Sequence, residues 1–234
     1  MIRIFLSTLA RAAGAALLAF TAVAHAVTLN NSFGAQPFLD TALGGTTAAL
    51  RPELAGVVLE DVIQSFSFGA LNISGTVQNR VVRENGTGTL DFYWRILVDA
   101  GSTGGGIDTF RLGDFGYSFL TDADWRIDGL GSAAPHIARL FNPATHPSGD
   151  INFLFEDPPV PAGDVGSRFF FLHTDATNYA STAFYDLLGG PNQTLSSEFS
   201  TFAPAPAVPE PSSVLLMSVG LAGIGVVARR RMRG

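Results

Sequence analysis

From Gly88 to Val98 the chain sets Leu90, Phe92, Trp94, Ile96 and Val98 on every second position, with Asp91 and Arg95 between them. A period of two sends alternate side chains to opposite faces, the pattern of a strand with one side in a core. Upstream, Thr76 to Arg83 is β-prone, and Glu84-Asn85-Gly86-Thr87-Gly88 lies between the two runs. An Asn-Gly pair tolerates positive φ at both central turn positions, which predicts a hairpin. Val57 to Phe68 is apolar without clean alternation, and Leu54 to Gln64 also suits a short helix. Asp108 to Leu112, Tyr117 to Leu120, Ile151 to Phe155 and Arg168 to His173 are further strand candidates. The unbroken Phe169-Phe170-Phe171-Leu172 predicts a central strand covered on both faces. Gly101 to Gly106 and the proline-rich Asp157 to Gly166 read as loops. Many short strands between Gly and Pro clusters predict an all-β fold, an antiparallel β-sandwich of jelly-roll type.

Both ends read as targeting segments. Arg3 and Arg11 precede an uncharged apolar run from Ala12 to Val23, and Ala24-His25-Ala26 ends it. A positive start, a short apolar middle and a small-x-small end predict a signal peptide, cleaved between Ala26 and Val27. That implies passage through the Sec translocon and cutting by signal peptidase. From Ser200 the sequence turns to Thr-Phe-Ala-Pro-Ala-Pro-Ala-Val-Pro, which predicts an extended, polyproline-like spacer. Ser213 to Ala228 is apolar, and as a helix it would rise about 24 Å, enough for a marginal membrane span. Arg229, Arg230, Arg231 and Arg233 follow, and basic flanks stay cytoplasmic. The predicted order is a signal peptide over 1–26, an ectodomain over 27–199, a spacer over 200–212, a transmembrane helix over 213–228 and a basic tail over 229–234.

Removing the terminal arginines changes the charge balance. Residues 27–207 hold 8 Arg, no Lys and 19 acids, a net charge of −11, against −6 for the whole chain. So acidic a domain argues against nucleic acid as a partner, since phosphate binding needs a basic face. Cysteine is absent, so the fold rests on core burial without disulfides, and thiolate metal sites and thiol nucleophiles are excluded.

Val208-Pro209-Glu210-Pro211-Ser212, a short Gly/Ala/Leu-rich span and the terminal arginines stand in that order at the C-terminus. Together they resemble the PEP-CTERM protein-sorting signal of Gram-negative bacteria. The resemblance covers the last 27 residues, 208–234. It implies recognition by a membrane-embedded exosortase, a cysteine transpeptidase-like enzyme, and cleavage near Pro209-Glu210-Pro211. The released domain would go to the cell surface or to an extracellular, biofilm-type polysaccharide matrix. Without the triplet, the apolar span reads as a plain single-span anchor. The Gly75 to Ala100 hairpin is also similar to a "G-x-V … G-T-L-x-F" pattern in the bodies of such proteins, and it brings no active-site residues with it.

The body offers little recognisable chemistry. Asp122, Asp124 and Asp128 are the best metal candidates, for calcium, because hard cations need several oxygens. The spacing lacks the central Gly and closing Glu of an EF-hand loop, and a solvated acidic turn is the plainer reading. His136, His146 and His173 have no metal-site spacing. Ser118, Ser148 and Ser167 lack a nucleophile elbow. Glu60, Asp91 and Glu156 are carboxylates that could converge for glycoside hydrolysis, and Tyr93, Trp125 and Tyr179 are aromatics that could stack on sugars. The expectation is an exported, non-enzymatic surface or matrix protein without a cofactor, with exopolysaccharide as its associate. The alternative is a secreted carbohydrate-active enzyme with the same address.

Overall fold

The alternating stretch becomes the middle of the molecule. The computed structural model describes residues 27–29, 31–146, 151–155, 158–163 and 165–206. Within them lie the strands Val27–Thr28 (β1), Phe38–Ala42 (β2), Gly56–Phe68 (β3), Ile73–Glu84 (β4), Leu90–Val98 (β5), Ile107–Gly113 (β6) and Leu120–Trp125 (β7). Ile137–Phe141 (β8), Ile151–Leu154 (β9), Phe170–Thr174 (β10), Asn178–Gly189 (β11), Thr194–Leu195 (β12) and Phe199–Ala205 (β13) complete the set. The helical content of the described residues is two short 3-10 turns, Pro52–Leu54 and Tyr117–Phe119. The fold is all-β, and its paired strands are antiparallel. One sheet runs β1-β7-β10-β5-β4-β3, and the other runs β12-β11-β6-β9-β8-β2 with β13 also paired to β11.

The two sheets share one apolar core. The inward residues of β5 meet Phe110, Phe153 and Tyr185 of the second sheet in a continuous buried cluster. Trp94 and Phe170 sit at its centre, with ring centroids 5.5 Å between Trp94 and Phe110 and 4.8 Å between Phe153 and Phe170. Aromatic pairs at such spacings add to the burial free energy that holds a disulfide-free domain. β10 is central, between β7 and β5, as its unbroken apolar run predicts. Its Phe170 and Leu172 enter the main core, while Phe169 just before it and Phe171 join Leu54, Val82 and Tyr93 in a second cluster on the other face.

Four local expectations are corrected. The short-helix alternative for 54–64 gives way to β3: Leu54 ends the 3-10 turn, and from Gly56 the chain pairs with β4 in a ladder that outweighs local helix propensity. The hairpin between β4 and β5 forms, but its left-handed residue is Gly88, at φ 75°, rather than the Asn-Gly pair. The Glu84 N–H closes that turn on the Thr89 carbonyl at 2.9 Å. Tyr117 to Phe119 form a 3-10 turn, and the strand begins only at Leu120.

The fourth correction concerns the spacer. Residues 199–205 form β13, paired with β11 from Tyr185↔Phe199 to Asn178↔Ala205 with a register shift between Ala180 and Ala183. An edge strand tolerates a proline such as Pro204 where no ladder partner needs its missing N–H. Thr201 also ties β13 into the core: it accepts from Trp94 Nε1 at 3.0 Å and donates to Asn79 Oδ1 at 3.0 Å. Among the described residues no helix is long and apolar enough to cross a membrane. The predicted signal peptide and the span over 213–228 lie outside the described residues.

Candidate functional site

The outward residues of the first sheet build an extended polar arrangement among the described residues. In β5 these are Asp91, Tyr93 and Arg95, in β10 Phe171 and His173, and in β7 Asp122 and Asp124. The ladders align Val82, Asp91, His173 and Asp122 across four neighbouring strands. A parallel row aligns Arg80, Tyr93, Phe171 and Asp124. One row is therefore mainly polar, and the next sets two aromatics between Arg80 and Asp124.

In the polar row, His173 Nδ1 lies 2.7 Å from Asp91 Oδ1 and 3.3 Å from Glu84 Oε1. Both carboxylate side chains are 0% exposed, and the imidazole is 18% exposed. Glu84 Oε2 accepts from the hydroxyls of Thr87 and Thr89 in the hairpin turn. Asp91 Oδ2 and Glu84 Oε1 are buried without a hydrogen bond. Burial pushes the Asp91 carboxyl up to about 6; the His173 hydrogen bond and charge oppose this, and Glu84 adds to it. Burial disfavours the His173 imidazolium, but the hydrogen bond and charge of Asp91 and the charges of Asp122 and Glu84 raise its pKa above the ordinary histidine value. The two shifts differ in origin: burial itself raises Asp91, whereas neighbouring carboxylates raise His173 against burial.

The loop before β3 closes over this face. Thr46 donates its N–H to the Trp125 carbonyl and accepts from the Ile127 N–H, so the loop docks on the end of β7. Gly45 at φ +77° lies flat on Trp125, where a Cβ would come within 2.5 Å of the indole. Arg51 follows and donates to both oxygens of Asp122, at 2.8 and 3.2 Å, and to Glu53 at 2.8 Å. Beside it, a groove of about 470 Å³ has Tyr93 and Phe169 among its walls, with Gln78, Arg80 and Arg126 lining it. Arg80 stacks over Phe169 at 4.8 Å.

The sequence-predicted calcium residues are not a solvated turn, since β7 carries two of them. Asp122 takes Arg51, Asp124 accepts the N–H groups of Gly45 and Trp125, and Asp128 pairs with Arg126 and accepts from the Ala48 N–H. Glu60 and Asp91 do not converge: Glu60 accepts from Tyr179 of the second sheet at 2.9 Å, while Asp91 lies on the opposite face. Glu156 and Ser148 lie outside the described residues, as do Ala24, Ala26, Val208, Pro209, Glu210, Pro211 and the arginines at 229, 230, 231 and 233. Val27 opens β1 opposite Ala123. Ser167 is fully buried and accepts from the Ile96 N–H, a structural role. His146 packs its ring on Phe141 at 4.9 Å. Glu84 and Arg51 escape sequence reading; an acid inside a buried strand, Asp91, is the one signal that could have directed attention to them.

The family model of the PEP-CTERM protein-sorting motif matches residues 207–231. The chain carries a PEP-CTERM sorting motif. No curated protein and no solved structure matches the chain. The PEP-CTERM motif implies an exported protein with a membrane-anchored intermediate, recognised by an exosortase. The match begins two residues after β13 ends at Ala205.

Proposed function

We propose that the chain is a non-enzymatic cell-surface or extracellular-matrix protein whose body is a jelly-roll-type sandwich and whose C-terminal span is a temporary anchor. The Sec translocon exports it, and signal peptidase cuts between Ala26 and Val27. The span over 213–228 then holds the body outside, with Arg229, Arg230, Arg231 and Arg233 in the cytoplasm. Exosortase releases it near Pro209-Glu210-Pro211 to the exopolysaccharide. The observation that carries this reading is the PEP-CTERM match directly behind a body whose last strand closes at Ala205.

Other features support it. Successive strands from β5 to β8 alternate between the sheets, as they do in jelly rolls. Glu84 and Asp91 are sealed from solvent, where no sugar reaches them, which favours a binding over a hydrolytic role. The aromatic and polar walls of the groove beside Tyr93 suit a saccharide. With 206–212 as the only link, the body sits within roughly 25 Å of the span, at the limit of an extended chain.

Mass spectrometry of the protein from membrane and medium, in cells with and without the exosortase, tests the reading. The expected secreted form starts at Val27 and ends within 207–212. Retention of 213–228 on the secreted form in exosortase-containing cells overturns the processing step.

A further inference from the structure

We propose that Glu84, Asp91 and His173 bind a divalent transition-metal ion of the zinc type, which pins the β4–β5 hairpin to β10. Each side chain offers one ligand atom, and the three atoms lie within 4.8 Å of one another. Around a metal bonded at about 2.0–2.2 Å, ligand atoms sit roughly 3–3.5 Å apart. The observed 2.7 and 3.3 Å separations from His173 Nδ1 reach that range with a small opening at Asp91.

Hydrogen bonding leaves this cluster incomplete. His173 Nδ1 carries at most one hydrogen and cannot serve both carboxylates, and Asp91 Oδ2 and Glu84 Oε1 remain buried without a hydrogen bond. Buried acceptors in native proteins almost always have partners. Charge points the same way. Two fully buried carboxylates face one imidazole, Asp122 lies one strand away, and the nearby cation Arg51 is engaged by Asp122 and Glu53. A divalent ion with neutral His173 balances Glu84 and Asp91, whereas one proton on the imidazole does not.

The donor set selects the ion. One imidazole nitrogen with two carboxylates suits zinc and its neighbours. Calcium takes six to eight oxygens, which this cluster cannot supply. Thr87 and Thr89 act as the supporting shell by holding Glu84 Oε2, which turns Oε1 toward His173. The partly exposed imidazole edge gives the ion a way in. In a chain without cysteine, such a clamp joins Glu84 and Asp91 to a residue 82 positions beyond Asp91.

The test uses the secreted protein, stripped by chelator and titrated with zinc chloride by calorimetry, with thermal unfolding in parallel. One zinc per chain and a raised melting temperature are expected. Glu84→Gln, Asp91→Asn and His173→Gln should each weaken binding by more than about tenfold, and Asp128→Asn should leave it unchanged. Cobalt substitution supplies an independent readout: a visible absorption band lost in His173→Gln supports the site even where a variant is poorly stable. No saturable binding at millimolar zinc overturns the proposal, as does stoichiometric zinc that survives all three substitutions.

Discussion

The two faces of β5 are one residue apart in sequence and opposite in physics. Leu90, Phe92, Trp94 and Ile96 point into a cluster of aromatic and aliphatic side chains, where stability comes from area removed from water. Asp91 and Arg95 point the other way: Asp91 meets His173 one strand from the Arg51–Asp122 pair, and Arg95 donates to the Ser167 carbonyl. Burial on the inner face is favourable in itself. On the outer face it is tolerated only while each charge keeps its partner. The inner face should therefore lose stability in proportion to volume removed, and the outer face in proportion to charges orphaned.

Trp94→Ala would break the comparison hardest. It removes the largest fully buried side chain and the Nε1 bond to Thr201. A loss of about 3–5 kcal/mol is expected in urea unfolding, independent of pH. Arg51→Ala comes next, at about 3 kcal/mol, because it leaves Asp122 buried without its cation. The double variant Arg51→Ala with Asp122→Asn should recover much of that loss. Recovery marks a charge effect, whereas additive losses would mean that the loop is held by packing and that the two faces do not differ in kind.

The smallest effect is the pH dependence of the chelator-treated protein. Asp91 has its folded pKa raised, to about 6, and His173 also has a raised value. A raised group adds stability that is complete below its unfolded pKa and is lost as pH rises through the folded one. Melting temperature should therefore fall as pH rises from about 4 through 6 on account of Asp91, and further above about 6.5 on account of His173. Besides burial, Glu84 and Arg51 act on Asp91 and Glu84 and Asp122 on His173, while Glu53 also faces the imidazole. Glu53, Asp61 and Asp128 have lowered values and destabilise in the opposite direction, as pH falls through the acid range. The informative quantity is therefore the difference between parent and variant. Asp91→Asn should flatten the lower part of the slope and weaken the upper part too, because Asp91 raises His173, whereas His173→Gln should remove the upper part. Trp94→Ala should leave the slope intact, and a changed slope there would join the two faces into one coupled unit.

Much of this architecture is legible in the chain. The alternation from Leu90 to Val98 announces β5, and Phe169 to Leu172 announces a strand buried on both sides, because each pattern is local and periodic. Long β11 goes unread: Asn178-Tyr-Ala-Ser-Thr-Ala-Phe alternates too loosely to stand out. β13 is misread as spacer because its prolines argue against a ladder, and only the open edge of β11 supplies one. The acidic run at 122–128 looks like a surface turn because Arg126 neutralises only Asp128, and nothing nearby in sequence serves Asp122 and Asp124. Its partners, Arg51 and Gly45, lie 71 and 79 residues away.

By itself the sequence determined the β-rich class, through side-chain period, and the sorting address, through a short contiguous motif at the C-terminal end. Both are readable because they depend on neighbours within a few residues. The tertiary structure alone decided that Asp91 would meet His173 and Glu84, and that the last strand would close at Ala205. Those outcomes depend on strand register between distant segments, and a shift of one residue would turn every one of these side chains to the other face.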